Sequence, residues 1–495
     1  MTTAPEQQLV VLRPFDGTVH GTLPTTLPGQ VATVVAAART AQAGWADRPP
    51  AQRALVFRRL ATLILDRREQ ILDTIQFENG KARLSAFEEV MDAARAVRVF
   101  AGTAPRLLRP ARRPGAIPVL TRSVEHRRPV GVVGIISPWN YPFNLPATDS
   151  AEALLAGNAV VLKPDSQTPF TALLLAELLA EAGLPQGLFT VLPGSGAQLG
   201  PALVAAVDHL MFTGSTATGR TLAEACARRL IGFSAELGGK NPLLVLPDAD
   251  LAAAADGAAR AAFGNTGQMC VGIERAYVHS AVLPEFLDLL LERVSRLRLG
   301  VGTDWAIDVG SLASAAQLRS VGAHVGDAVA KGATLLAGGR ARPDLGPFVY
   351  EPTVLTGVTE DMALCREETF GPVLAVYGVA SEDEAVARAN DSSYGLNASV
   401  WSARRGAAVA ARLRVGTVNV NEGYAASWGS HAAPMGGMGD SGIGRRHGSA
   451  GLLKYTEAQT VSEQRLHPIA PPDRLGNEGF ARLLAGAVRL LNRLG

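Results

Sequence analysis

At 495 residues the chain exceeds the size at which a single core usually divides, so two or three domains are expected. Its 47% apolar content, 52 glycines and 30 prolines suit a globular α/β protein and exclude disorder for its bulk. Forty-seven basic residues nearly cancel 45 acidic ones, leaving a formal charge of +2 that removes any global argument for nucleic-acid binding. Cys226, Cys270 and Cys365 form no CxxC or zinc-like spacing, which excludes a disulfide framework and suits a reducing compartment. The first residues show no basic leader followed by an apolar run, and the apolar stretches 131–137 and 242–246 are too short to cross a bilayer, so cytoplasmic residence is expected.

In chain order, apolar residues at three- and four-residue intervals predict helices over 29–46 and 50–77, divided by a Pro-Pro turn, and over 84–101. Residues 105–128, with prolines at 105, 110, 114 and 118 and many arginines, read as an extended arm or hairpin, either a subunit contact or a surface excursion. From 130 to 239 short apolar strands alternate with helical patterns at 147–156, 169–182, 197–206 and 217–229, the signature of a parallel sheet covered on both faces. A second α/β unit begins near Lys240, with strands in 241–247, 275–279, 333–339 and 372–377 and helices at 252–262, 284–297, 312–330 and 381–390. The short strands ASVW and GTVNVN follow near an expected cleft.

Beyond Pro471-Pro472, a helical face carries Phe480, Leu483, Leu484, Ala487, Leu491 and Leu494, while Arg482, Arg489 and Arg493 lie towards its margins and other side. Such a basic amphipathic helix is expected to pack on the enzyme or a sister subunit, with membrane contact the less favoured alternative.

Among candidate reactive groups, Cys270 in NTGQMC carries the strongest ordinary nucleophile near neutral pH, against the alternative of a small buried hydrophobe. Gly264, Gly267 and Gly272 around it permit close backbone approach. Glu236 in SAELGGKNP, at a predicted strand end, suits a general base or else a cap or salt bridge. Asn140 in SPWNYPF suits an oxyanion donor or an Asx turn. The glycine loops PGSGAQLG and FTGSTATGR are weak phosphate signals individually, although Gly214 and Ser215 sit between a strand and a helix N-terminus. Lys163 at a strand end, Glu368 and Phe370 in REETFGP suit cofactor contacts, or a surface lysine and core packing. Arg445-Arg446-His447 reads as a solvated surface turn.

The ordered motifs SPWN, KPD, FTGST, ELGGKNP, GQMC and EETFGP, spanning 137–372, resemble the aldehyde dehydrogenase superfamily. GTVNVN, PMGGMGDSGIGR and GLLKYTE extend the likeness over most of the chain, and KPDSQTP, IGFSAELGGKNP, YGLNASVW and APMGGMG are similar to the NADP-using succinate-semialdehyde dehydrogenases. The resemblance implies an α/β fold with a Rossmann-related cofactor domain at 1–108 and 131–238 and a catalytic domain at 239–456. It also implies an oligomerisation element at 109–130 and 457–470, with 471–495 as an amphipathic extension. Cys270 then matches the nucleophile, Glu236 the general base, and Asn140 with the Cys270 backbone N–H the oxyanion donors. Trp139, Lys163, Ser166, Gly214, Ser215, Leu237, Glu368 and Phe370 match cofactor positions.

The activity so implied is NADP-linked oxidation of succinate semialdehyde by a homodimer or homotetramer, without a metal. Ser166, three residues after Lys163, stands where many NAD-preferring relatives carry a glutamate; a hydroxyl there removes repulsion against a 2′-phosphate, so NADP is preferred with NAD possible. The arginines that hold the distal carboxylate in several such enzymes match Thr148 and Gly264 here, leaving Arg275, His431 or another residue to replace them. Oxidation of neutral aldehydes and a non-catalytic nucleotide-binding scaffold are the competing expectations.

Overall fold

Near-continuous Val, Ile, Leu and Ala runs build strands that are buried on both faces, and the alternation from residue 130 onward does produce a parallel sheet. A computed structural model describes residues 8–117, 119–466 and 468–494, the side chains of 490, 491 and 494 excepted. Pro118 of the predicted arm and the side chains of Leu491 and Leu494 therefore lie outside the described residues.

The six-stranded sheet runs Gly442–Ile443, Gly232–Glu236, His209–Thr213, Val132–Ile136, Ala159–Lys163, Phe189–Val191, parallel except for the first, which pairs antiparallel with Gly232–Glu236. A seven-stranded sheet orders Thr334–Ala337, Thr353–Thr356, Val373–Val379, Ile273–His279, Asn241–Val245, Asn397–Trp401 and Thr417–Val420, with only Thr334–Ala337 antiparallel to its neighbour. Both sheets belong to one compact unit, Met1–Leu107 with Pro129–Thr456; the other unit is Leu108–Arg128 with Glu457–Gly495.

Two expectations needed correction. The segment 50–77 is two helices, Pro50–Asp66 and Arg68–Asn79, because Arg67 leaves helical geometry at φ −100°, ψ 18°. The next helix runs Arg83–Leu107 and takes Pro105 into its last turn at the loss of one backbone hydrogen bond, so the arm begins later than the prolines suggest. Its extended part is a hairpin, Ala111–Arg113 with Thr121–Pro129, joined by Thr456–Gln464 into a three-stranded sheet in the second unit. That last strand and the antiparallel pair Gln8–Leu12 with Val19–Pro24 carry too little apolar alternation to be read from sequence.

Candidate active site

The carboxyl ends of the six-stranded sheet supply one wall of a cleft, as open parallel sheets do. Glu236 ends its strand, Gly214 and Ser215 follow the strand His209–Thr213, and the SPWN loop follows Val132–Ile136. The opposite wall comes from the amino ends of the seven-stranded sheet, where Cys270 precedes Ile273–His279 and Glu368 precedes Val373–Val379. Asn140, Glu236 and Cys270 line one cavity of about 230 Å³ together with Trp139, Gly214, Ser215, Leu237, Glu368 and Phe370. Leu145, Gly238 and Gln317 complete part of that lining.

Cys270 is delivered by a strained turn. Asn265, Thr266 and Gly267 all take left-handed φ values of 50°, 56° and 69°, and a Cβ on Gly267 would stand 2.1 Å from the Gly371 carbonyl oxygen. The first residues of two interior strands then clamp the backbone around Cys270. Asn241 Nδ2 donates to the carbonyls of Cys270 and Gly272, both at 2.7 Å, and Asn397 Nδ2 donates to that of Val271 at 2.9 Å. Neither asparagine was singled out from sequence, since each role depends on strands meeting across the sheet.

Asn140 is buried, and its Nδ2 donates to the Gln268 carbonyl at 3.0 Å, which ties the oxyanion candidate to the turn that carries Cys270. Its loop is held from beneath by a fully buried ion pair, Lys81 with Glu89 at 2.7 Å. Lys81 Nζ also donates to the Asn140 carbonyl at 2.6 Å and lies 4.3 Å from the Tyr141 ring centroid. Glu89 Oε1 accepts from the Phe143 and Asn144 N–H groups at 2.8 and 3.0 Å. Removing one partner of such a pair strands a buried charge, so Lys81→Met is expected to cost about 3–5 kcal/mol. Chemical unfolding checks this; an unchanged midpoint would show that the pair does not hold the loop.

Burial dominates the electrostatics of the cavity. It pushes the Cys270 thiol up to about 12, reinforced by Glu236 and Glu368 and opposed by Arg446 and the Val271 N–H. Burial likewise raises Glu236 to about 7, with Arg446 and Lys454 pulling it down. Glu368 is raised to about 8 by burial and by Glu274, while accepting the Gly239 N–H at 2.8 Å. Beside Glu368, Phe370 sits at φ 52°, edge-on to Trp139 at 5.5 Å. Its N–H donates to Glu274 at 3.0 Å, and Glu274 also pairs with Lys240 at 2.5 Å.

Continuing past Cys270 and Glu236, a smaller cavity of about 20 Å³, the scale of one or two waters, is lined by Asp92, Thr148, Trp428, Met435, Arg446 and His447. The Arg445-Arg446-His447 run is therefore not a solvated turn: Arg446 and His447 are each 5% exposed. Arg446 Nη2 donates to Asp149 Oδ2 at 2.8 Å and to the Thr213 hydroxyl, and its Nε has no hydrogen-bond partner among the described residues. A doublet of arginines looks solvated in a linear reading because its burying partner, Asp149, is 297 positions away.

Other candidates fall elsewhere. Thr148 lines the smaller cavity but spends its hydroxyl on the Asn144 carbonyl at 2.8 Å. Arg275 is buried against the Lys240 carbonyl and Tyr277, so it is no substitute for the missing arginines. His431 pairs with Asp92 at 2.8 Å. Lys163 and Ser166 do not line the main cavity. Ser166 borders a separate groove with Ser195, Gly196 and Gln198, and Lys163 Nζ stands 3.4 Å from the position a Gly196 Cβ would take. Cys226 and Cys365 are buried away from the cleft.

The Aldehyde dehydrogenase family profile matches residues 1–461. A Mycolicibacterium smegmatis protein named "Putative succinate-semialdehyde dehydrogenase [NADP(+)]" is 53% identical over 482 residues, 97% of this chain and 93% of the relative. The 4,4'-diapolycopene aldehyde oxidase of a Methylomonas species is 40% identical, covering 98% of this chain and 93% of that one. Among solved structures, succinate-semialdehyde dehydrogenase from Burkholderia pseudomallei superposes with a TM-score of 0.89 at 36% identity, over 92% of this chain and 95% of that chain.

Proposed function

Because the chain belongs to the aldehyde dehydrogenase family, we propose that it oxidises succinate semialdehyde to succinate with NADP, by covalent attack from Cys270. The observation that carries the chemistry is the convergence of Cys270, Asn140 and Glu236 on one cavity from two different sheets. The names of the 53% identical relative and of the Burkholderia structure support the substrate. Arg446, the only guanidinium lining the smaller cavity among the described residues, supplies the positive charge that Thr148 and Gly264 lack.

The residues present fit the dinucleotide. A Cβ on Gly238 would stand 2.3 Å from Glu368 Oε2, so bare backbone and carboxylate form one side of the cleft. The groove at Ser166 has no carboxylate among its described lining residues, as a 2′-phosphate requires. Lys163, Ser166, Gly214, Ser215, Leu237, Glu368 and Phe370 would hold the cofactor, with the six-stranded sheet as the cofactor-binding domain and the seven-stranded sheet as the catalytic one. The hairpin Ala111–Arg113 with Thr121–Pro129 is the proposed subunit contact.

In the mechanism, Glu236 takes the Cys270 proton directly or through water, and the thiolate sulfur bonds to the aldehyde carbon. Asn140 and the Cys270 N–H receive the negative charge that develops on the carbonyl oxygen. NADP, when bound, supplies the hydride acceptor that turns the thiohemiacetal into a thioester. After giving that first proton up to solvent, Glu236 removes a proton from water, whose oxygen attacks the thioester carbon; the C–S bond breaks, the carboxylic acid leaves, and the Cys270 thiolate takes the proton back from Glu236.

The test is kcat/KM for succinate semialdehyde and butanal with each nicotinamide cofactor. Succinate semialdehyde with NADP should lead, and a neutral aldehyde matching it would remove the carboxylated substrate. Ser166→Glu should lower kcat/KM for NADP by about tenfold or more while sparing NAD, because a carboxylate is placed against the 2′-phosphate; an unchanged ratio would place that phosphate elsewhere. Oxidation of neutral aldehydes is a second reading, favoured by the 40% identical diapolycopene aldehyde oxidase and by Leu145, Trp428 and Met435 around the nucleophile.

A further inference from the structure

The second compact unit concentrates charge that the whole chain hides. Leu108–Arg128 with Glu457–Gly495 carries eleven arginines against five acidic residues, a formal +6, in a chain whose total is +2. The remainder is therefore at −4. Within that unit the helix Gly476–Leu494 separates its chemistry by face. Phe480, Leu483, Leu484 and Ala487 recur at three- and four-residue intervals and share one side, while Arg482, Arg489 and Arg493, seven and four apart, share the other.

The apolar side is not sealed. It faces a cavity of about 390 Å³ whose floor includes Ile117, Leu120, Leu466 and Ile469 of the same unit. Leu483, Leu484 and Val488 remain 65%, 42% and 47% exposed, and Leu466 is 84% exposed. Packing within the chain, one of the two expectations from sequence beside a sister subunit, leaves this surface uncovered. Among the described residues no helix is long and apolar enough to cross a membrane. A helix of this length, with a wide apolar face and arginines opposite it, matches the requirements for lying in a bilayer interface.

We propose that the C-terminal helix docks this enzyme on an anionic phospholipid surface, with Leu483, Leu484 and Val488 entering the acyl boundary and Arg482, Arg489 and Arg493 attracted by the headgroup phosphates. The helix is about 10 Å across, comparable to the Debye length at about 0.1 M salt, so its arginines feel the lipid charge most strongly at low salt. Charge complementarity selects this occupant: the helix carries Arg482, Arg489 and Arg493 against Glu478, a net cationic element suited to an anionic surface.

The experiment is co-sedimentation of the full-length enzyme with phosphatidylcholine vesicles, with and without phosphatidylglycerol, alongside the Leu483→Glu/Leu484→Glu and Arg482→Gln/Arg489→Gln/Arg493→Gln variants. Binding should require the anionic lipid, weaken with salt and fall about tenfold or more in each variant. Oxidation of a water-soluble aldehyde and the solution mass should stay unchanged. No sedimentation with anionic vesicles, or equal sedimentation of the variants, overturns the proposal. A changed solution mass in the leucine variant also overturns it, by assigning the apolar face to a second copy.

Discussion

Cys270→Ala is expected to abolish aldehyde-dependent NADP reduction, a fall on the order of 10⁴-fold or more, because no other thiol lines the cavity among the described residues. Cofactor affinity, read by NADPH fluorescence, should change little, since removing one sulfur leaves the Gly238, Glu368 and Ser166 contacts in place. The backbone should also keep its place, because Asn241 and Asn397 grip carbonyls rather than the thiol. Turnover near the wild-type rate would mean that the oxidation does not pass through a thioester. Alkylation should be slow in the resting enzyme and accelerate with pH, because burial keeps the thiol protonated up to about 12.

Glu236→Gln should separate the two halves of the reaction. With no carboxylate to take the proton of water, hydrolysis slows more than acylation, and intact-mass spectrometry after mixing with aldehyde and NADP should reveal an acyl adduct on Cys270 that wild type does not accumulate. We expect kcat to fall by 10²–10⁴-fold, the usual range for a general base. The pH profile provides an independent reading. Burial raises the Glu236 carboxyl to about 7, so its basic form appears only above that value, and wild-type kcat should rise as pH passes through about 7 and then level. The glutamine variant should lose this limb. A variant with an unshifted limb and no adduct would transfer the base role to another group, with Glu368, raised to about 8, the next carboxylate in the cavity.

The local determinants of the site are written plainly along the chain. Alternating apolar strands and helices announce parallel sheets, and a parallel sheet presents its ligands at strand ends; Glu236, Lys163 and Gly214 follow from that alone. Cys270 and Asn140 stand out as residue types in glycine- and proline-bounded segments. What strand periodicity cannot contain is which strand ends face each other. Lys81 and Glu89 look like ordinary surface charges along the chain, yet both are buried beneath the Asn140 loop.

Arg446 is the sharpest case. As one of two adjacent arginines it reads as solvated, and only the fold brings Asp149, Thr213, Glu236 and Cys270 around it. The sequence by itself determined the reactive groups and the type of sheet, because these depend on residue chemistry and short periodicities. Tertiary structure alone decided the Arg446 charge at the nucleophile, the Lys81–Glu89 support and the open apolar face of the last helix, because burial and pairing arise from residues tens to hundreds of positions apart.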